Sequence, residues 1–324
     1  MKAPVKSLAP TRQSFAERML EYGKVNSEFA VFESDIGYST YSYLFGEVFP
    51  NRYFNLGIAE MGTLAAAAGM AADGRTVMVC GYGVFITMRA VEVIRSFICY
   101  PCLNVKFLSS HGGLTAAIDG VTHQATEDVA FMTTLPNMSV LVPCDTVAAS
   151  RIFDVAMNTP GPVYNRMMRD AFFDIYDTEV FKLGGSHIIC PGEDITIVAY
   201  GDMVFQALEA TEVLHKQNVR AEVIDMYSLK PFDWPTLRLS LEKTGALLVV
   251  ENHQQRNGLA YAIGIKVLKE MPLPFDNIGL ADCFGESGSY LPVIDKYGLT
   301  ARHIADKGLE LYKKKKGVPH GIER

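Results

Sequence analysis

Short apolar runs alternate with segments of helical periodicity along the first half of the chain. The apolar runs are rich in β-branched and aromatic residues, which is typical of strands buried on both faces of a parallel sheet. Strands are predicted at residues 29–32, 76–80, 105–109, 140–142 and 163–167, and helices at 13–22, 58–72, 90–99, 127–134 and 146–158. This alternation predicts a mostly parallel sheet with helices on both faces.

A glycine-rich stretch at residues 183–186 interrupts this pattern, and a second alternation follows it. Its strands are predicted at 195–199, 221–224, 246–250 and 278–280, and its helices at 205–217, 259–270 and 300–311. A chain of 324 residues has room for two domains of ordinary size. We therefore expect an α/β protein of two doubly wound domains, a larger one at residues 1–183 and a smaller one at 184–324.

Composition and charge narrow the range of functions. The chain carries 30 Lys and Arg against 36 Asp and Glu, a formal charge of −6, whereas nucleic-acid binders usually present a strongly basic face. The uncharged run at residues 61–72 is too short to span a bilayer, which needs about 20 residues. The residues near the amino terminus do not include the apolar segment that a secretory signal requires, so we expect no such signal. We expect a cytoplasmic protein that handles small molecules and has neither a nucleic-acid nor a membrane partner.

The segment from Asn55 to Glu60 places a carboxylate where a strand passes into a helix. Gly57 permits the turn, and Glu60 falls in the first turn of the helix. The residues that follow, 61–72, are small and apolar on every side, so we expect this helix to be buried. A glutamate there either stabilises the helix through its dipole or serves as an acid at the start of a buried helix.

A second candidate is the glycine-rich loop after the predicted strand at 105–109. It carries His111, Asp119 and His123, and ligands bind at the carboxyl ends of parallel strands. No histidine pair at helical spacing is present, so we do not expect a metal site. Arg166 and Arg169 end another strand, and guanidinium groups suit phosphate oxygens, although a surface salt bridge is an equal interpretation.

Two aromatic residues complete the set of candidates. Tyr82 and Phe85 follow the predicted strand at 76–80 and precede a helix that contains Arg89. Aromatic residues at this spacing usually lie in a core, but they also suit a flat slot for a heteroaromatic ring.

In this order and spacing, these segments resemble the C-terminal half of transketolases, which is a pyrimidine-binding domain followed by a transketolase C-terminal domain. The family pattern Asn-x-Gly-Ile-x-Glu is matched at residues 55–60, and Asp-Gly-x-Thr-His-Gln is matched at residues 119–124. His111 matches the family's loop histidine, eight residues before Asp119. Asp35 and Ser39 match its Asp-x3-Ser, and Arg169 matches its closing arginine. The resemblance covers nearly the whole chain.

The resemblance implies a role for each of these residues around thiamine diphosphate and a sugar phosphate. The implied catalytic residues are Glu60, at a nitrogen of the pyrimidine ring, and His123, near the reacting atoms. Tyr82 and Phe85 would flank the ring, and Asp35 and Arg89 would also bind the cofactor. The implied substrate ligands, for hydroxyl and phosphate groups, are His111, Asp119, Ser39, Arg169 and Arg166.

Full-length transketolases also have an N-terminal domain, whose Gly-Asp-Gly and distant Asn hold a metal and the diphosphate. Gly201-Asp202-Met203 is the nearest segment here, but it lacks the third glycine. The resemblance therefore implies the C-terminal (β) subunit of a split transketolase, active only with an N-terminal partner subunit, in an α2β2 heterotetramer. The cofactor would lie between the two chains, and the partner would hold Mg²⁺ or Ca²⁺. In this family the C-terminal domain contributes to assembly rather than to catalysis.

Several alternatives stay open at this point. Met61, Ile118 and Val121 depart from the family pattern and leave the ketose and aldose substrates undecided. The β-subunit of a 2-oxoacid dehydrogenase has a similar length and architecture, although its loop usually lacks Asp-Gly-x-Thr-His-Gln. Half of a deoxyxylulose-phosphate synthase and a non-catalytic assembly subunit are two further possibilities.

Overall fold

A computed structural model describes residues 5–317; residues 1–4 and 318–324, at the outer ends of the two predicted domains, lie outside the described part. Over residues 5–317, no helix combines the length and the apolar character needed to cross a bilayer. The strands are β1 (Val5–Lys6), β2 (Ala30–Glu33), β3 (Tyr53–Asn55), β4 (Val77–Tyr82), β5 (Val105–Ser110), β6 (Ser139–Leu141), β7 (Val163–Arg166), β8 (Phe173–Asp174), β9 (His187–Cys190), β10 (Ile195–Ala199), β11 (Ala221–Asp225), β12 (Ser228–Lys230), β13 (Leu247–Gln254) and β14 (Phe275–Leu280).

Helices of very different length connect these strands. They are α1 (Thr11–Val25), α2 (Gly37–Thr40), α3 (Tyr43–Val48), α4 (Glu60–Ala72), α5 (Ala90–Val93), α6 (Asp128–Thr134), α7 (Thr146–Asn158), α8 (Met203–His215), α9 (Trp234–Thr244), α10 (Leu259–Glu270), α11 (Tyr290–Lys296) and α12 (Ala301–Gly317). Two π-helical turns, Phe85–Arg89 and Ile94–Cys99, flank α5, and the 3-10 turns are Pro50–Arg52, Gly113–Asp119 and Val121–His123.

The larger sheet has seven strands in the order β12-β6-β7-β5-β4-β2-β3. All its pairs are parallel except the edge pair of β12 with β6. Helices α1, α3 and α7 pack on one face, and α4, α5 and α6 cover the other, so the apolar strand residues are buried from both sides. This confirms the predicted doubly wound fold, and it explains why the central strands form continuous apolar runs in the sequence.

The smaller sheet has five strands in the order β14-β13-β10-β11-β9, with only β9 antiparallel to its neighbour. Helices α8 and α12 cover one face, and α9 and α10 cover the other. The two domains also share a strand across the predicted boundary. β12 follows the boundary in sequence but pairs with β6, so it extends the sheet of the first domain.

Local signals account for α7 and α9. Asp145 caps α7 by accepting a hydrogen bond from Ala148 N at 2.7 Å, and apolar positions on one side of α7 join the core. Periodicity does not predict α9, because only Leu237 and Leu241 on its buried side are apolar. This helix begins at the cap Asp233, has a proline in its first turn and ends at Gly245 in the left-handed region (φ 63°).

Candidate active site

The candidate residues meet at one edge of the larger sheet, where its parallel strands end. The chain passes from β2 outward to β3 and then returns to the other side of β2 to form β4, so the order of strands reverses between β2 and β4. Loops that follow β2, β3, β4, β5 and β7 converge at this edge. Ligands bind at such a reversal because the loops on its two sides diverge and leave a crevice.

Glu60 enters the site from the end of β3. Asn55 closes the turn, since its Oδ1 accepts a hydrogen bond from Gly57 N at 2.9 Å, and Gly57 adopts a φ of 74° that favours glycine. Glu60 is the first residue of α4 and is only 7% exposed. Its Oε2 accepts a hydrogen bond from Arg89 Nη1 at 3.1 Å. The site therefore contains a nearly buried carboxylate with a cationic neighbour.

The expectation that α4 is buried on every side is wrong for this chain. Thr63, Leu64, Ala67, Ala68 and Ala71 pack toward the sheet, but the opposite face is exposed. That exposed face consists of Met61, Gly62, Ala65, Ala66, Gly69 and Ala72. Small side chains cover little area, and no other element within residues 5–317 lies over them. Burial within the described residues therefore accounts for the apolar character of one face of the helix only.

Tyr82 and Phe85 form an aromatic wall with the two loop histidines. The ring centroid of Tyr82 lies 4.0 Å from that of His111 and 5.6 Å from that of His123, and the Phe85 centroid lies 5.4 Å from that of His123. The guanidinium of Arg89 lies 5.1 Å from the Phe85 ring centre, which links this wall to Glu60. The structure thus brings the predicted ring-flanking residues and both histidines together.

His111 is held as a neutral side chain. It lies in the left-handed region with a φ of 67°, is buried, and contacts Ser110 Oγ through Nδ1. Burial lowers the pKa of His111 to about 2, and the nearby charges of Arg12 and Arg169 act in the same direction. Its Nε2 lies 3.6 Å from Asp119 Oδ2, and because the ring is neutral this contact is not an ion pair.

Two arginines lie in this part of the site, and one of them contacts Ser39. Arg12 Nη1 donates to Ser39 Oγ at 3.0 Å, and the Tyr82 hydroxyl donates to the same oxygen at 2.8 Å. Arg169 Nε lies 2.7 Å from Asp119 Oδ2, and its Nη1 donates to Asp170 Oδ1 at 2.6 Å. Burial lowers the pKa of Arg12, and the charge of Arg169 adds to this effect. Two guanidinium groups and a hydroxyl in one part of the site suit an anion.

Sequence reasoning missed Arg12. It lies in the second position of α1, distant in sequence from the other candidates, and no local motif marks it. Its Nε is buried and has no hydrogen-bond partner among the described residues. A basic residue at the start of a helix is unusual, because the helix dipole favours acids there, and this is the signal that could have drawn attention to it.

Asp35 lies at the rim of the site. It sits in the loop after β2 with a φ of 60°, and its Oδ1 accepts a hydrogen bond from Asn55 Nδ2 at 3.0 Å. Asp35 is exposed and therefore available to a ligand that enters from outside the chain.

Arg166 does not belong to this group, which corrects the expectation that it binds substrate. It is only 3% exposed, and its Nε donates to Asp128 Oδ2 at 2.9 Å. Its Nη2 donates to the carbonyl oxygens of Ala125 and Asn252 at 3.0 and 2.9 Å. Although burial acts against its charge, Asp128 raises the pKa of Arg166. Its Nε and Nη2 donors are engaged within the chain, so Arg166 has a structural task instead.

Two family models match the chain. They are "Transketolase, pyrimidine binding domain", over residues 8–173, and "Transketolase, C-terminal domain", over residues 184–304. The chain belongs to the transketolase family. Its fold and its order of domains are those of the C-terminal section of such proteins.

Several relatives match this chain over nearly the full length of both proteins. A "Putative transketolase C-terminal section" of Methanocaldococcus jannaschii is 35% identical, over 94% of this chain and 96% of the relative. One of the subunits of an apulose-4-phosphate transketolase of Phocaeicola vulgatus is 32% identical, over 94% of this chain and 97% of the relative. A solved structure described as "Split gene transketolase, inactive beta4 tetramer" is 37% identical, with a TM-score of 0.88 over 94% of this chain and 99% of that one.

Proposed function

We propose that this chain is the C-terminal subunit of a split transketolase, which transfers a two-carbon ketol unit from a ketose phosphate to an aldose phosphate. One observation carries the proposal: a nearly buried carboxylate, an aromatic wall and two arginines share one sheet edge. The carboxylate and the aromatic rings suit a flat heterocycle, and the arginines suit a phosphate. A subunit retained only for assembly would not need all three.

The groups around Glu60 fit the aminopyrimidine half of thiamine diphosphate. When bound, this cofactor supplies the nucleophilic carbon for ketol transfer. Glu60 would hydrogen-bond a ring nitrogen, and its low exposure would keep water from that contact. Tyr82 and Phe85 would flank the ring, and Arg89 and Asp35 would orient the cofactor from the Glu60 side and from the rim. His123 would hold or move a proton near the reacting atoms.

The substrate would bind along the other half of the site. His111, which is neutral, and Asp119 would hydrogen-bond hydroxyl groups of the sugar. Ser39 and Arg169 would hold the phosphate, and the position of Arg12 adds it to this set. Binding in this way leaves the substrate's carbonyl end free to lie near Glu60 and the aromatic wall.

The cofactor would be shared with a partner subunit. The exposed small-residue face of α4 next to Glu60 supports this, because an uncovered apolar surface beside a buried carboxylate suits close packing against another chain. The partner would be the N-terminal transketolase subunit, would hold the diphosphate with Mg²⁺ or Ca²⁺, and would form an α2β2 assembly with this chain. Sugar phosphates do not cross membranes freely, which supports a cytoplasmic location.

The test is a Glu60→Gln variant reconstituted with the partner subunit. Loss of a group that holds a catalytic proton lowers rates by about 10²–10⁴-fold, so ketol transfer should fall by that factor. Glu92→Gln, which changes an exposed acid on α5, is the matched control and should keep wild-type activity. Activity of the Glu60 variant within threefold of wild type would remove Glu60 from the proposed mechanism. An assay of the wild-type complex with 2-oxoacids and an electron acceptor distinguishes a transketolase from a 2-oxoacid dehydrogenase.

A further inference from the structure

The loop that carries His111, Asp119 and His123 rests on the C-terminal domain. This loop, residues 111–124, follows β5 and has only short 3-10 turns of its own. Backbone outside regular structure is costly to hold in one conformation unless other groups bind it. Arg169 of the first domain contacts Thr115 and Asp119 in this loop, and further contacts to its middle come from the second domain.

Asn252 makes the central contact. It lies at the end of β13, beside β10, where the strand order of the smaller sheet reverses. In an α/β domain that position is the usual ligand crevice, but here the loop of the first domain approaches it. Leu114 N donates to Asn252 Oδ1 at 2.8 Å. Gly113 has a φ of 59°, and a Cβ there would come within 2.5 Å of Asn252 O, so glycine is required for this approach.

The Asn252 amide is locked in one orientation. Its Nδ2 donates to Asp202 Oδ2 at 2.7 Å, and the Tyr290 hydroxyl donates to the same oxygen at 2.5 Å. A flipped amide would place an N–H group against Leu114 N and an oxygen against the Asp202 carboxylate. Asn252 and Asp202 are both buried, so loss of either contact would leave a polar group away from bulk solvent.

Two more contacts hold the loop further along. Gly288 N donates to Ala117 O at 3.0 Å, just before Asp119. Gln124 Nε2 donates to Glu286 O at 3.0 Å, just after His123. The segment 285–290 of the C-terminal domain thus spans the part of the loop that presents the substrate-binding side chains.

We infer that the C-terminal domain positions the substrate loop, with Asn252 as the main positioning residue. This rests on the proposed function, since it assigns a task to residues that serve the same site. Asn252 touches no substrate and acts through the backbone at Leu114. A loop that must be ordered when substrate arrives binds it more weakly, so a loop that is already fixed favours substrate binding. The domain is therefore part of the machinery of this subunit, besides any contribution to assembly.

Asn252→Ala and a matched control test this inference in the full chain. The variant leaves Leu114 N without its acceptor, so hydrogen–deuterium exchange at the amides of residues 112–119 should be at least tenfold faster. Thr196→Val is the control: Thr196 is as buried in β10 of the same sheet, and its hydroxyl contacts only Ser240 and Thr244 among the described residues. It should leave exchange in the loop within twofold of wild type, even if it lowers Tm.

The second measurement is kinetic, in the complex with the partner subunit. Asn252→Ala should raise the KM for the ketose phosphate at least tenfold and leave the Kd of thiamine diphosphate within twofold, because α4 and Glu60 are not contacted by Asn252. Asn252→Asp keeps the acceptor for Leu114 N but places a second carboxylate against that of Asp202. Protonation of either carboxylate relieves the repulsion, so the KM of this variant should be closer to the wild-type KM at low pH than at high pH.

Unchanged exchange in the loop of Asn252→Ala, or an equal increase in Thr196→Val, would overturn the inference, as would an unchanged KM. Failure of the proposed function looks different. In that case the wild-type complex transfers no ketol unit, while the exchange measurement, which needs neither partner nor substrate, still reports whether Asn252 holds the loop.

Discussion

Arg12 and Arg169 differ in how much of their charge is available to a ligand. Asp119 and Asp170 contact Arg169 and, although burial acts the other way, raise its pKa. The hydrogen bonds of Arg12 go to a hydroxyl and a carbonyl oxygen of Ser39, which carry no formal charge. An arriving anion would therefore gain more from Arg12 than from Arg169.

Arg12→Ala should raise the KM for a phosphorylated ketose by about 10–100-fold, since a hydrogen bond to a charged group contributes about 1.5–3 kcal/mol. The KM for an unphosphorylated ketose should change by less than threefold, which steady-state kinetics of the complex will show. Arg18→Ala, in the same helix but paired with Asp154 on the surface, is the control. Equal losses with both substrates would place Arg12 outside the phosphate site.

His111 should make the folded chain less stable in acid. Its pKa is about 2 in the folded chain against an ordinary 6.5, so below pH 6.5 the unfolded chain binds a proton that the folded chain does not. The free energy of unfolding then falls as pH decreases through that window. Between pH 7 and pH 5, wild type should lose about 1–2 kcal/mol more than His111→Gln in urea unfolding.

The control for this pH experiment is His215→Gln, which changes an exposed histidine at the end of α8. It should keep the wild-type dependence on pH. Equal losses for wild type and His111→Gln would show that His111 does not stay neutral in the folded chain.

Helix α4 illustrates how an element can be predicted correctly and its surroundings wrongly. Its small apolar residues indicate close packing on every side, but the described chain supplies only one side of that packing. Ile58 and Met61, just before and within its first turn, are 76% and 54% exposed. A partner chain over this face would complete the environment that the composition indicates.

Gly69→Leu should separate folding from assembly. No atom of the described residues lies within 4 Å of a Cβ at Gly69, so the larger side chain should not lower the Tm of the isolated chain. It would project from the small-residue face and should weaken association with the partner at least tenfold, as titration by calorimetry can measure. Gly69→Ala is the control and should bind as wild type. Wild-type affinity in Gly69→Leu would mean that the partner does not cover α4.

At the scale of the whole molecule, the arginine of a buried ion pair in the first domain also contacts the second domain. Arg166 and Asp128 both lie in the first domain, and Arg166 Nη2 reaches the Asn252 carbonyl oxygen of the second. The Tyr164 hydroxyl donates to Asp128 Oδ2 at 2.7 Å, so the carboxylate is hydrogen-bonded as well as paired. Buried charges are tolerated when they are paired and hydrogen-bonded in this way.

Arg166→Leu should lower the free energy of unfolding by about 3–5 kcal/mol, because it leaves the Asp128 carboxylate buried without a counter-charge. Chemical denaturation of the isolated chain provides the measurement. Arg302→Leu removes an exposed partner of Asp295 and should change the same free energy by less than about 1 kcal/mol. If Arg166→Leu lowered the free energy of unfolding by less than about 1 kcal/mol, Arg166 would not have the structural role assigned to it.

The sequence by itself determined the alternation of strands and helices, the class of fold and the loops that carry Glu60, His111 and Arg169. These depend on periodicity, turn residues and motif spacing, which neighbouring residues encode. Some local signals were present but weak: β3 has three residues, too few for periodicity, and α9 is marked only by its caps.

Only the tertiary structure decided that Arg12 reaches the site, that Arg166 turns inward, that one face of α4 is bare and that Asn252 contacts the loop at residues 111–124. Each of these depends on contacts between residues far apart in the chain. The burial and the charged neighbours of a side chain are set when helices, strands and loops that are distant in sequence pack together. A local sequence pattern does not specify which of these elements will be in contact.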